Sequence, residues 1–212
     1  MTGRQTTFLC ALAALVLATS SFSQTPPPLV LENALFRYTM SSDAKNIAFV
    51  DRRTGKNHLE GKASPCALVR ARGKVQPATS ATLIDGHLNL GFGDGSINVI
   101  LKVESRPFCV VLTVERVNSD EVEALTFLNI PLALKGMPDE QFGACAHSLN
   151  LFTRVDALPA LQTELRASCE KKFGIMGAKV AIVAAPMDRM LRALQDWFNW
   201  RNRINRIDRA NR

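Results

Sequence analysis

Ala81-Thr82-Leu83-Ile84-Asp85-Gly86-His87-Leu88-Asn89-Leu90-Gly91-Phe92 is the stretch that decides the fold class. Two short runs of β-forming residues flank Asp-Gly. That dipeptide accepts the positive φ angles a two-residue hairpin turn demands. Leu88, Leu90 and Phe92 recur with period two and share one face of a strand. A second Asp-Gly, Asp94-Gly95, separates this strand from Ile97-Asn98-Val99-Ile100-Leu101-Lys102-Val103, where Ile97, Val99, Leu101 and Val103 share a face. Arg106-Pro107 breaks that run. Phe108, Val110, Leu112 and Val114 then alternate with Cys109, Val111, Thr113 and Glu115. Consecutive strands with short turns make an antiparallel meander. No helical periodicity interrupts it, so parallel βαβ units are excluded.

Outward from this centre the pattern continues. On the N-terminal side, Leu35-Phe36-Arg37-Tyr38-Thr39-Met40 and Ile47-Ala48-Phe49-Val50 read as strands, the second running into the tight turn Asp51-Arg52-Arg53-Thr54-Gly55. Residues 66–72 alternate and stop at Gly73-Lys74. On the C-terminal side, residues 125–134 form a strand in which Pro131 calls for an edge position or a bulge. Residues 144–152, 161–169 and 177–185 follow, with Lys179-Val180-Ala181-Ile182-Val183-Ala184 the most apolar of them. The expected fold is all-β: an antiparallel two-sheet β-sandwich over residues 29–186 with a C-terminal amphipathic helix. A single rolled sheet or barrel is the alternative.

Pro186 closes the β region, and from about Met187 the period changes. Met190, Leu191, Leu194, Trp197 and Phe198 fall on one helical face, and Ile204 and Ile207 extend the stripe. Residues 187–212 therefore read as a basic helix and tail. Trp197, Trp200, Arg201 and Arg203 mark it as a surface that meets either the sandwich, a neighbouring module or a membrane surface. Docking on the sandwich or a neighbour is the preferred reading, and membrane contact the less favoured one.

At the other end, Arg4 precedes an apolar run over residues 8–18, followed by small residues up to Ser23. The run is shorter than the roughly 20 apolar residues of a membrane span. It reads as a signal peptide over 1–23, cleaved near Gln24 and giving a secreted or periplasmic protein, with a retained anchor as the alternative. Gln24-Thr25-Pro26-Pro27-Pro28 reads as a stiff polyproline-like leader.

The net charge is +7. Five arginines against Asp208 place +4 of it in residues 201–212, and Arg4 holds one more, which leaves +2 for residues 24–200. A nucleic-acid-binding domain spreads positive charge over a face, so no nucleic-acid partner is expected.

Four cysteines follow the signal: Cys66, Cys109, Cys145 and Cys169. An even number in an exported chain permits disulfides, in any of three pairings. All four lie in strand-like, apolar stretches, which equally suits buried free thiols. Neither they nor His58, His87 and His147 have zinc-ligand spacing, so no metal and no cofactor is expected. Cys145 and His147 share a strand face, which makes a Cys–His pair conceivable, but no nucleophile motif accompanies them. Asp51, Glu60, Asp85, Asp94, Glu104, Glu115, Asp139 and Asp156 are scattered through turns and strand exteriors. Nothing in the spacing brings two of them to the separation of about 5–9.5 Å used by glycosidases. Gly91-Phe92-Gly93-Asp94-Gly95 lies between strands and lacks the Lys-Ser/Thr of a phosphate loop. Both tryptophans belong to the helix and only Tyr38 to the β region, so a flat aromatic platform for sugars is poorly supported.

Asn33-Ala34-Leu35-Phe36-Arg37-Tyr38, followed by Asn46-Ile47-Ala48-Phe49-Val50-Asp51-Arg52-Arg53-Thr54-Gly55, resembles the opening of a known module. It is similar to the N-terminal β-sandwich, related to the galactose-mutarotase-like fold, that precedes catalytic barrels in secreted bacterial glycoside hydrolases. Phe173-Gly174, Gly177-Ala178-Lys179-Val180-Ala181-Ile182-Val183 and the succeeding helix resemble the passage into the next domain. The resemblance implies a carbohydrate-related context and an architectural role, with carbohydrate or a neighbouring catalytic domain as partner. It carries over no catalytic residue, because the catalytic carboxylates of such proteins lie in the barrel, and this chain reaches Arg212 where a barrel would begin. The expected function is thus a non-catalytic module, structural or weakly glycan-binding. The alternatives are a sugar epimerase or hydrolase using His87 or His147 with a carboxylate, and an envelope or membrane-surface protein using the helix.

Overall fold

The computed structural model describes residues 27–135, 137, 139–155 and 163–210, with Thr163 and residues 204–210 described by backbone alone. The expected signal peptide, residues 24–26 and Asp156 lie outside the described residues. So do the side chains of Ile204 and Ile207.

Among the described residues, thirteen strands and one helix follow Pro27 and Pro28. They are β1 Leu29–Glu32, β2 Phe36–Met40, β3 Asn46–Asp51, β4 Leu68–Ala71, β5 Lys74–Ile84, β6 His87–Phe92, β7 Ile97–Arg106, β8 Cys109–Val117, β9 Val122–Leu132, β10 Phe142–Ser148, β11 Arg154–Val155, β12 Thr163–Glu170, β13 Lys179–Pro186 and α1 Met187–Ala210. Two antiparallel sheets result. One has three strands in the order β1-β2-β3, the other ten in the order β10-β13-β8-β7-β6-β5-β4-β9-β12-β11.

The turn chemistry accounts for the meander. Asp85 (φ 49°) and Gly86 (φ 75°) form the two-residue turn between Ile84 and His87. Arg72 (φ 50°) and Gly73 (φ 71°) do the same between Ala71 and Lys74. There the sequence suggested only a strand end. Pro107 and Phe108 form a two-residue turn as well, since Arg106 faces Cys109.

The larger sheet folds over on itself at β5. Residues 74–77 of this long strand pair with β4 and residues 78–84 with β6, with a register shift between Ala78 and Ser80. The two ends of the sheet come together, with β10 beside β11 and β12. The outcome is a sandwich close to a barrel, whose two layers are continuous through one bent strand. A single cluster of buried residues fills it, drawing Leu88, Leu90, Val99, Leu101, Val110 and Leu112 from one layer and Leu125, Leu128, Ile130 and Leu165 from the other. The small sheet contributes Phe36, Tyr38, Met40 and Phe49 to the same core. Pro131 sits where β9 has outrun β4. Its carbonyl accepts from Glu60 N at 3.0 Å, and its missing N–H costs no ladder bond on that side.

β13 is buried on both faces, which explains its unbroken apolar sequence. Val180, Ile182 and Ala184 belong to the main core, while Ala181, Val183 and Ala185 form a second cluster with Cys109, Val111, Ala193 and Trp197. This second cluster is the seat of α1. The helix presents Met190, Ala193, Leu194, Trp197 and Trp200 to the sheet. The expected stripe is corrected here: Leu191 is 72% exposed and Phe198 54% exposed. Small residues set this rotation. A Cβ on Gly143 would lie 2.9 Å from Met190 Cε, and Gly143 pairs with Ala185, so a glycine–alanine floor lets the helix approach closely. At its N-terminus, Asp188 lies in the first turn, favourable to the helix dipole, and takes Arg53 Nη1 at 2.8 Å.

Candidate functional site

Three places bring chemistry-bearing side chains together. The first lies under α1. Period two puts Cys145 and His147 on one face of β10, and Cys145 Sγ is 3.2 Å from His147 Nε2. The His147 ring stacks on Trp197 with centroids 4.1 Å apart and planes at 23°. Arg201 lies 5.5 Å from the Trp197 centroid and Arg106 5.1 Å from that of Trp200, while Phe108 meets Trp200 edge-on at 6.3 Å. Arg203 is exposed. The electrostatics are those of a packed seam. Burial pushes the Cys145 thiol up to about 11. Burial, then the Arg201 guanidinium, lowers His147. A neutral thiol beside a neutral imidazole is the reverse of an activated thiolate–imidazolium pair.

The four cysteines among the described residues are free thiols, three buried and Cys145 half-buried. Strand order separates two of the pairs. β13 lies between Cys109 on β8 and Cys145 on β10, a separation of two strand spacings, or about 10 Å. A disulfide needs Cα atoms within about 7 Å. β9 likewise lies between Cys169 on β12 and the segment leading from Cys66 into β4. Burial raises Cys66, Cys109 and Cys169 to about 12 each.

The second place is an open groove on the outer face of β6–β8, lined by Ile84, Asp85, His87, Asn89, Ile100, Glu115 and Arg116. Here a histidine and a carboxylate do converge: His87 Nε2 is 3.1 Å from Glu115 Oε2. The other ring nitrogen, Nδ1, is 3.0 Å from Asp85 O. Both nitrogens thus lie within reach of oxygen acceptors of the protein.

The third is a cleft of about 410 Å³ lined by Asp51, Thr54, Lys56, Asn57, His58, Ala133, Leu134, Asp139, Glu140, Gln141 and Phe142. It is built by the Asp51–Gly55 turn. Asp51 Oδ1 accepts Arg53 N at 2.9 Å, its Oδ2 accepts Thr54 Oγ1 at 2.8 Å, and Gly55 (φ 74°) reverses the chain. The return segment is held on both sides: His58 N donates to Phe49 O and Ala133 N to His58 O, each at 2.8 Å. It thereby joins the small sheet to the end of β9. The His58 ring stacks on Phe142 at 4.5 Å and 11°, and Phe142 meets Phe49 edge-on at 6.4 Å. The imidazole thus caps an aromatic column rising from the core. Across the cleft, Glu140 accepts Lys135 N at 2.8 Å and Met137 N at 3.2 Å. Burial, then Lys56, lowers His58, and the charges of Asp51 and Glu140 only partly offset this.

The remaining acids serve turns and the surface. Asp94 caps Ser96 N, and Glu104 meets Arg106 and Lys179. Tyr38 is buried and donates to Asn46 Oδ1, so it offers no platform. Among the described residues, no group of three or more His, Cys, Asp or Glu is placed to hold a metal, and no helix is long and apolar enough to cross a membrane.

Sequence reading named His58 and Asp51 but gave no reason to join them to residues 133–142, some 80 positions away. The available signal was the sharp Asp-x-x-Thr-Gly turn, which returns the chain so that Lys56, Asn57 and His58 lie beside the strand it has just left. No protein-family model matches this chain, and no curated protein matches it.

Proposed function

We propose that this chain is an exported, non-catalytic β-sandwich module that works alongside carbohydrate-active proteins, supporting a neighbour and binding glycan weakly. The observation that carries the reading is how fully His87, His147 and the two carboxylates of Asp51 and Glu140 beside His58 are already engaged. His87 has an acceptor at each ring nitrogen. His147 lies beneath α1 against a thiol. The carboxylates of Asp51 and Glu140 beside His58 already accept protein N–H or O–H groups. General acid–base catalysis needs a residue free to exchange a proton with substrate. Binding has no such requirement. Export rests on the pattern of residues 1–23, and a supporting role suits a helix seated firmly on the sheet.

An enzyme is the second reading, and the convergence of His87 and Glu115 in one groove favours it. A membrane-surface role for α1 has less support, because Trp197 and Trp200 are turned towards the sheet.

Retention of residues 24–212 on a panel of insoluble polysaccharides tests the binding, and turnover of the same substrates tests the rival. Weak retention without turnover is expected. Turnover abolished by Glu115→Gln would establish the enzyme instead.

A further inference from the structure

His58 is 6% exposed, and its ring nitrogens hold no hydrogen bond among the described residues. Buried polar side chains are bonded in the great majority of cases. The little surface this residue keeps belongs to the cleft it lines. Other groups in the same cleft are also unused among the described residues: the Asp139 carboxylate, the Lys56 ammonium, the Asn57 Nδ2 and the Gln141 amide. Asn57 spends only its oxygen, on Phe49 N and Leu59 N. The cleft therefore offers spare donors and acceptors side by side, on a floor made by the stacked His58 and Phe142 rings. Hydroxyl groups, which donate and accept at once, match such a lining. Its volume of about 410 Å³ falls within the roughly 300–1,000 Å³ of small-molecule sites.

Charge narrows the class further. Asp51, Asp139 and Glu140 face the single cation Lys56. Burial and Lys56 keep His58 neutral, so it adds no positive charge. An anionic ligand would meet this excess of carboxylates unfavourably, and an ammonium would be drawn to it.

We infer that the His58 cleft is a binding site for a small hydroxyl-rich molecule carrying an ammonium group, of the size of one sugar ring. The inference rests on the glycan-binding reading above and gives that reading its site and its charge preference. Asp139 is the ammonium's partner, and the ring nitrogens of His58 meet hydroxyls.

The test uses three probes that share a ring and differ in charge: glucosamine, glucose and glucuronate. Each is titrated into residues 24–212 while the His58 ring resonances are followed by NMR. The expected order of affinity is glucosamine, then glucose, then glucuronate, with His58 among the most shifted signals. Asp139→Asn changes an exposed side chain and leaves the fold intact. It should reduce the preference for glucosamine over glucose several-fold. Glucuronate binding as tightly as glucosamine, unchanged discrimination in Asp139→Asn, or shifts confined to residues outside the cleft would each overturn the site. Polysaccharide retention by a protein whose cleft signals stay still would sink this site alone. Glucosamine at His58 without retention on any polysaccharide would sink the glycan reading and leave the site standing.

Discussion

His147 and Trp197 stack face to face, with ring centroids 4.1 Å apart, and this contact ties α1 to β10. Trp197 is 6% exposed and sits at the centre of the second cluster. Trp197→Ala should cost about 3 kcal/mol of stability. The loss should come with undocking of α1 and faster alkylation of Cys145. Urea denaturation and thiol-labelling rates check this. Unchanged labelling would mean that the helix holds without the tryptophan.

The same contact makes stability depend on pH. Burial lowers both His147 and His58 below the ordinary value of 6.5. Between those lowered values and 6.5 the unfolded chain binds more protons than the folded one. Stability therefore rises with pH and is lost as pH falls below about 6.5. Denaturation curves at pH 7.5 and pH 5.5 should differ in this direction. His147→Gln should show the smaller difference.

Thiol chemistry offers an independent check. Burial holds the thiols of Cys66, Cys109 and Cys169 up at about 12 and that of Cys145 at about 11. In a chain beginning at Gln24, all four should react in denaturant and react slowly in the folded state. A count of two or none in denaturant would reveal disulfides in place of the four free thiols of the structure.

The Asp85-Gly86 turn can be tested by one methyl group. Gly86 has φ 75°, and a Cβ there would meet only Val103 O at 3.5 Å, an ordinary contact. Gly86→Ala should then cost about 1 kcal/mol, from backbone strain alone. Gly61 has no positive φ and open space around it. Gly61→Ala should be neutral, and an equal loss in both variants would contradict the turn assignment.

The meander was legible because its signals are local: Asp85-Gly86 and the alternation of Leu88, Leu90 and Phe92 lie within a dozen residues. The rotation of α1 was not legible. Hydrophobicity ranks Leu191 and Phe198 with Trp197, yet the seat selects the face carrying Ala193, because Gly143, Ala181 and Ala185 on two other strands leave room for a close approach. The bend in β5 escaped notice for a related reason, since its two halves pair with different strands. The His58 cleft depends on contacts between residues 51–58 and 133–142, and no local pattern encodes those. His58 reads in sequence as one polar residue in a turn, and only the packing of Phe142 beneath it turns it into a cleft floor.

The central claim is that the chain binds glycan and does not transform it. Affinity electrophoresis of residues 24–212 through gels containing soluble polysaccharide, with reducing ends assayed in the same samples, addresses both halves at once. The account predicts retarded migration, relieved by free glucosamine and by Asp139→Asn, with no rise in reducing ends. Accumulating reducing ends, lost in Glu115→Gln, would contradict it.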